Sequence, residues 1–134
     1  MNSKTILTIS AIVLFAIGVV LNFMPQELAN KIGFIGLPEG SLLLQIMAGF
    51  FLGFGILNWM LKDSAVGGVY GKPLGLANLL QFGIGAFALG RAYGDGVSPQ
   101  WTLWLFLVYL VLALAFAWLV FLHDPNKVAA NTST

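Results

Sequence analysis

The sequence predicts an all-α membrane protein, a bundle of four transmembrane helices with both termini in the cytoplasm. Three observations predict it. Hydrophobic residues make up 59% of the 134 and charged residues only 8%, where a soluble domain carries about 25% charge. Four apolar stretches are each long enough to cross about 30 Å of hydrocarbon at 1.5 Å per residue. None of the four has an acidic residue in its middle. In lipid each backbone must satisfy its own hydrogen bonds, so the stretches are helices rather than strands. A soluble chain this small would have nowhere to hide that apolar surface and too little charge to stay dispersed.

The first span is expected at Thr5–Met24. Lys4 before an apolar run resembles a signal peptide, but the run is longer than a usual signal core and no A-x-A site closes it, so it is expected to be retained. Pro25 stops it. A short helix across Gln26–Ile32, capped by Gly33, follows, and Phe34, Ile35 and Leu37 behind it suit the membrane interface. Pro38-Glu39-Gly40-Ser41 opens the second span, Ser41–Leu61, with Ser41 as its N-cap. The loop Lys62–Lys72 holds Gly67, Gly68 and Gly71 and is expected to be flexible.

The third span is Pro73–Tyr93, with the proline where the first turn tolerates it. Ser98-Pro99 precedes the fourth, Trp101–Leu122, which His123-Asp124-Pro125 ends. Residues 1–128 read as one domain, and the small polar tail 129–134 as disordered.

Orientation follows the lysines and arginines of the short loops. Lys4, Lys62, Lys72 and Lys127 fall on one side, Lys31 and Arg91 on the other, which places both termini in the cytoplasm. Trp59 and Trp118 fall toward the cytoplasmic ends of their spans, and Tyr93, Trp101 and Trp104 toward the opposite interface. Such amphipathic rings form a belt at the headgroup level.

Several function classes are excluded on composition. A net charge of +1 offers no footprint for nucleic acid. The absence of cysteine removes disulfides, thiolate metal sites and cysteine nucleophiles. His123 is the only histidine and cannot build a usual coordination shell, so neither metal nor cofactor is expected. Gly83-x-Gly85 and Gly67-Gly68 lack the strand, spacing and lysine of a nucleotide loop. Glu27, Glu39, Asp63, Asp95 and Asp124 all lie in loops or at span ends, leaving no buried group for acid–base chemistry on a lipid or sterol. An enzyme is not expected.

The candidate residues lie in the second and third spans. At about 100° per residue, Gln45, Gly49, Gly53 and Ile56 share one face of the second, and Gly49-x-x-x-Gly53 admits another helix backbone. Asn58 lies on the opposite face. In the third, Asn78, Gln81, Gly85, Ala88 and Ala92 form one stripe of polar and small residues; Gly83, Gly90 and Gly94 form another nearly opposite. Gly49, Gly53, Gly83, Gly85 and Gly90 are thus the expected helix-packing positions. The amides of Gln45, Asn78 and Gln81 read either as hydrogen bonds between helices or as a polar pocket for a headgroup, quinone or small solute. Arg91, one turn before Asp95, reads as an end anchor favoured by the helix dipole or as a guanidinium fork for a phosphate, a carboxylate or a partner side chain.

Ala88-Leu-Gly90-Arg91, Asp95-Gly96 and Ser98-Pro99 before a long apolar helix, with Gly49-Phe-Phe-Leu-Gly53-Phe-Gly55 in the second span, resemble DoxX-like proteins and related families of unknown function among small bacterial four-helix membrane proteins. The resemblance implies a single-domain bundle in the bacterial cytoplasmic membrane, association of some members with oxidoreductases or respiratory components, and Arg91 and Asp95 as candidate site residues. The redox members that use cysteine are not matched.

The leading expectation is a non-catalytic accessory or assembly subunit that packs through glycine-rich spans two and three against a membrane-protein partner or its own copies. The alternative is a homo-oligomeric channel, or a transporter that binds a small solute or lipophile. Small multidrug antiporters are similar in size and span number but depend on an acidic residue inside a span, which this chain lacks.

Overall fold

The computed structural model describes residues 2–33, 38–63, 71–96 and 99–122. These form five helices in chain order: α1 (Ser3–Phe23), α2 (Pro25–Lys31), α3 (Pro38–Leu61), α4 (Gly71–Gly94) and α5 (Trp101–Phe121). All but α2 are long and apolar enough to cross a membrane, and the described residues contain no strand. The chain is an all-α, multi-pass membrane protein.

The helix ends follow local chemistry. Pro25 starts α2 directly after α1, because a proline at the first helical position forfeits only an N–H that would have no partner there. The Ile32 N–H donates to the Leu28 carbonyl at 3.0 Å, and Gly33 then leaves the helix at φ +99°, a conformation that disfavours side chains. The α3 helix begins at Pro38, three residues before the expected cap, so Ser41 lies inside its first turns. The α4 helix likewise begins at Gly71, with Pro73 inside its first turn, where the intrahelical donor it lacks is not needed. At the other end of α4 the Asp95 N–H donates to the Arg91 carbonyl at 2.9 Å, and Gly96 turns the chain at φ +68°.

The described residues group into two compact units. The first comprises Leu7–Lys62; the second holds the described residues up to Ile6 and from Asp63 onward.

In the first unit α1 and α3 run antiparallel. Ser10 meets Asn58, Phe15 meets Gly55, and Leu52 meets Gly18, so positions advance along one helix as they recede along the other. Large side chains sit on glycines. A Cβ at Gly18 would lie 2.8 Å from Leu52 Cγ, and one at Gly55 would lie 3.3 Å from the Phe15 ring. This close approach supplies the dispersion that replaces the hydrophobic drive missing between helices in lipid. Leu44, Ala48, Gly55 and Asn58 mark the buried stripe of α3, at the three- and four-residue steps of a single helix face.

In the second unit α4 and α5 pair, also antiparallel. The Phe82 ring stacks on Phe116 with centroids 5.8 Å apart and receives the Tyr109 ring edge-on at 5.2 Å. The Tyr109 ring occupies the space above Gly85, and the Phe106 ring that above Gly90. Phe82 and Ala86 lie between the two glycine stripes of α4, so one partner helix reaches the edge of both. The same unit holds an ion pair, Lys4 Nζ to Asp63 Oδ1 at 2.7 Å, with both side chains more than half exposed.

The tryptophans and Tyr93 stand near helix ends and are exposed. Lys62 lays its ammonium 3.3 Å from the centre of the Trp59 ring, joining a cation and an interfacial aromatic at the end of α3.

Candidate functional site

Of the glycines expected to pack, Gly85 and Gly90 do so, against α5 rings of their own unit. Gly49, Gly53 and Gly83 do not: a Cβ built on any of them meets nothing within 4 Å. The physical reason differs between helices. In α3 the stripe that packs on α1 ends in Gly55 and Asn58, and Gly49 and Gly53 fall on the diametrically opposite side at 100° per residue. Sequence periodicity finds both faces small, but only the packing distinguishes the occupied one from the open one.

The open face of α3 is a shallow channel. Gly49 and Gly53 form its floor, one turn apart, and Leu42, Ile46, Ile56 and Met60 rise around it, all exposed. Gln45 stands beside Gly49, also exposed, and its amide has no hydrogen-bond partner among the described residues. An amide on an apolar span surface is poorly solvated by lipid, so this position favours a polar partner.

The other two candidate amides lie in α4. Asn78 is fully buried, and its Nδ2 donates to the Leu74 carbonyl of its own helix at 3.0 Å. Gln81 is half-buried, and its Oε1 is enclosed with no hydrogen-bond partner.

Arg91 and Asp95 come together as expected of an i,i+4 pair, Nε to Oδ2 at 3.8 Å, both well exposed at 75% and 61%. That exposure makes the pair weak, within about 0–1 kcal/mol. The terminal nitrogens of Arg91 have no partner among the described residues.

Arg91 also stands at one end of a groove between α4 and α5, of about 540 Å³. From α4 come Gly83, Ala86, Phe87 and Gly90, at the three- and four-residue steps of one face. From α5 come Phe106, Leu110 and Ala113. The lining is apolar apart from the arginine, and the small residues on both helices make the trough.

Known protein families, characterised proteins and solved structures yield no match to this chain.

The chemistry of the residues therefore carries the functional reading. Among the described residues no group of three or more His, Asp or Glu side chains could hold a metal ion. His123, Asp124, Ser98, the Gly67-Gly68 pair, Phe34–Leu37 and the tail 129–134 fall outside the described residues. The sequence reading missed three participants: Ser10 as the partner of Asn58, and Tyr109 and Phe106 as the rings that occupy Gly85 and Gly90. A serine and two aromatics inside apolar spans carry no signal of their own until the facing helix is known.

Proposed function

We propose that the protein is a non-catalytic component of the bacterial cytoplasmic membrane, with both termini cytoplasmic, that assembles with a membrane-protein partner or its own copies through the open face of α3. One observation carries this reading. Gly49 and Gly53 leave a channel floored by backbone on the side of α3 that its own unit does not cover, with the unpartnered amide of Gln45 at its edge. Between helices in lipid, close backbone approach over small residues is the main source of affinity, and an interhelical amide bond adds on average about 0.6 kcal/mol. The channel offers the first and Gln45 the second.

Native mass spectrometry of the protein, gently extracted from its host membrane, tests it. A stoichiometric second polypeptide or a defined homo-oligomer is expected, and Gly53→Leu, which fills the channel without touching the α1 packing, is expected to release it. A monomer in the wild type, or an assembly indifferent to Gly53→Leu, overturns the proposal. The alternative, a homo-oligomeric channel or a transporter of a small solute or lipophile, has one observation in its favour: the enclosed, unpartnered Oε1 of Gln81 in α4.

A further inference from the structure

We infer that the groove between α4 and α5 is a binding site for one acyl chain of an anionic phospholipid, whose phosphate is taken by Arg91. The site is separate from the α3 face and does not rest on the association reading.

The groove runs from Gly83 to Arg91, about 12 Å along α4 at 1.5 Å per residue. Its volume, about 540 Å³, lies within the roughly 300–1,000 Å³ of pockets that hold small ligands. Its walls present no hydrogen-bonding side chain along that length; Phe87, Phe106 and Leu110 offer only hydrocarbon. A sugar, nucleotide or peptide would lose its hydrogen bonds there, whereas an alkyl chain loses nothing. The floor is made by absent side chains. At Gly83 a Cβ would meet no atom within 4 Å, so the hollow beside it is room that this unit's packing leaves unused.

Arg91 supplies the polar end. It lies within the last turn of a span, at the depth where a headgroup phosphate meets hydrocarbon. Asp95 approaches it loosely, with Nε 3.8 Å from Oδ2. The two terminal nitrogens keep four N–H donors in a planar array matched to phosphate oxygens. An apolar trough closed at the headgroup level by a guanidinium has the polarity profile of a phospholipid. A helix from another protein fits less well, because it would carry no negative charge to that end of the groove except by chance. A net negative headgroup is favoured over a zwitterionic one, since the latter's own cation competes for its phosphate.

The test is native mass spectrometry of the full-length, delipidated protein titrated with phosphatidylglycerol, phosphatidylcholine or inorganic phosphate. One retained phosphatidylglycerol per chain is expected, with an affinity about tenfold above phosphatidylcholine, the size of one charge-assisted hydrogen bond. Arg91→Gln is expected to abolish that preference and leave both lipids weakly bound. Gly83→Leu, which fills the groove against open space, is expected to abolish retention of both, with the far-ultraviolet helical spectrum unchanged. Inorganic phosphate is expected not to compete. Equal retention of the two lipids by the wild type, or retention indifferent to Gly83→Leu, overturns the proposal and leaves ordinary boundary lipid. Full competition by phosphate would reduce the site to a bare anion contact, and conversion of an oligomer to a monomer by Gly83→Leu would make the groove a helix-docking face. Either result overturns it.

Discussion

Asn58 of α3 donates from Nδ2 to Ser10 Oγ of α1 at 3.0 Å, and both side chains are fully buried. The Ser10 hydroxyl passes the bond on, donating to the Leu7 carbonyl at 2.9 Å. A polar chain thus crosses the α1–α3 contact at the end where Phe15 and Gly55 leave off. It sets register as well as affinity: sliding α3 by one turn would leave an amide facing hydrocarbon. Ser10→Ala removes the acceptor while sparing volume. It is expected to lower stability by about 0.6 kcal/mol, the average for interhelical hydrogen bonds in lipid, and by no more than about 1.7 kcal/mol, read from unfolding in mixed micelles. No loss would mean that Asn58 finds an equal acceptor elsewhere and that the pair does not hold the register.

Gly85→Leu and Gly53→Leu look equivalent in the sequence and are expected to fail differently. At Gly85 a new Cβ would sit 2.5 Å from Tyr109 Cδ1 and Cε1, and that ring is held edge-on against Phe82. The ring has little freedom to withdraw, so overpacking is expected to cost about 1–3 kcal/mol and lower the thermal midpoint. At Gly53 the added side chain enters open space, and the midpoint in detergent is expected to stay unchanged while assembly is lost. Matching thermal shifts in the two variants would show that α3 carries packing inside its own unit on both faces.

The four spans were legible in the sequence because length and hydropathy are properties of a segment alone. Gly33 as the end of α2 was legible for the same reason, since the turn it makes is local. Which glycines are occupied was not. Gly85 and Gly53 differ only in what the facing helix brings, a tyrosine ring in one case and nothing in the other, and a single sequence does not say which residues face each other. The groove was illegible on the same ground. Arg91 stood out in the sequence by its type and its place at a span end, as an anchor or as a fork for an anion or a partner, but Phe106, Leu110 and Ala113 line the groove with it only through the antiparallel register of α5. Helix starts differ by two or three residues because α3 starts on Pro38 itself and takes Glu39, Gly40 and Ser41 into its first turns, while α4 starts two residues before Pro73.

Gln81 distinguishes a structural span from one that handles a polar ligand. Its Oε1 is enclosed without a partner, and an unsatisfied buried acceptor costs about 1–3 kcal/mol. If α4 serves packing alone, Gln81→Leu removes that cost and is expected to raise the thermal midpoint, with assembly intact. Unchanged or lower stability, together with lost uptake of a solute, would mean that a ligand or water satisfies the amide in the working protein, and would favour the transport alternative.

The cytoplasmic placement of both termini rests on Lys4, Lys62 and Lys72 with Lys127, against Lys31 and Arg91. The Lys4–Asp63 ion pair, at more than half exposure, contributes only about 0–1 kcal/mol. Its charges act on insertion instead, where lysine counts bias a loop and acidic residues contribute little. A reporter active only in the cytoplasm, fused after Thr134, is therefore expected to be active, and Asp63→Asn is expected to leave it so. Moving lysines to the far side, with Lys4→Gln and Lys62→Gln combined with two lysines introduced next to Lys31, is expected to reduce its activity sharply. Activity on the opposite side in the wild type would invert the assignment and place Arg91 at the cytoplasmic interface, facing the anionic leaflet.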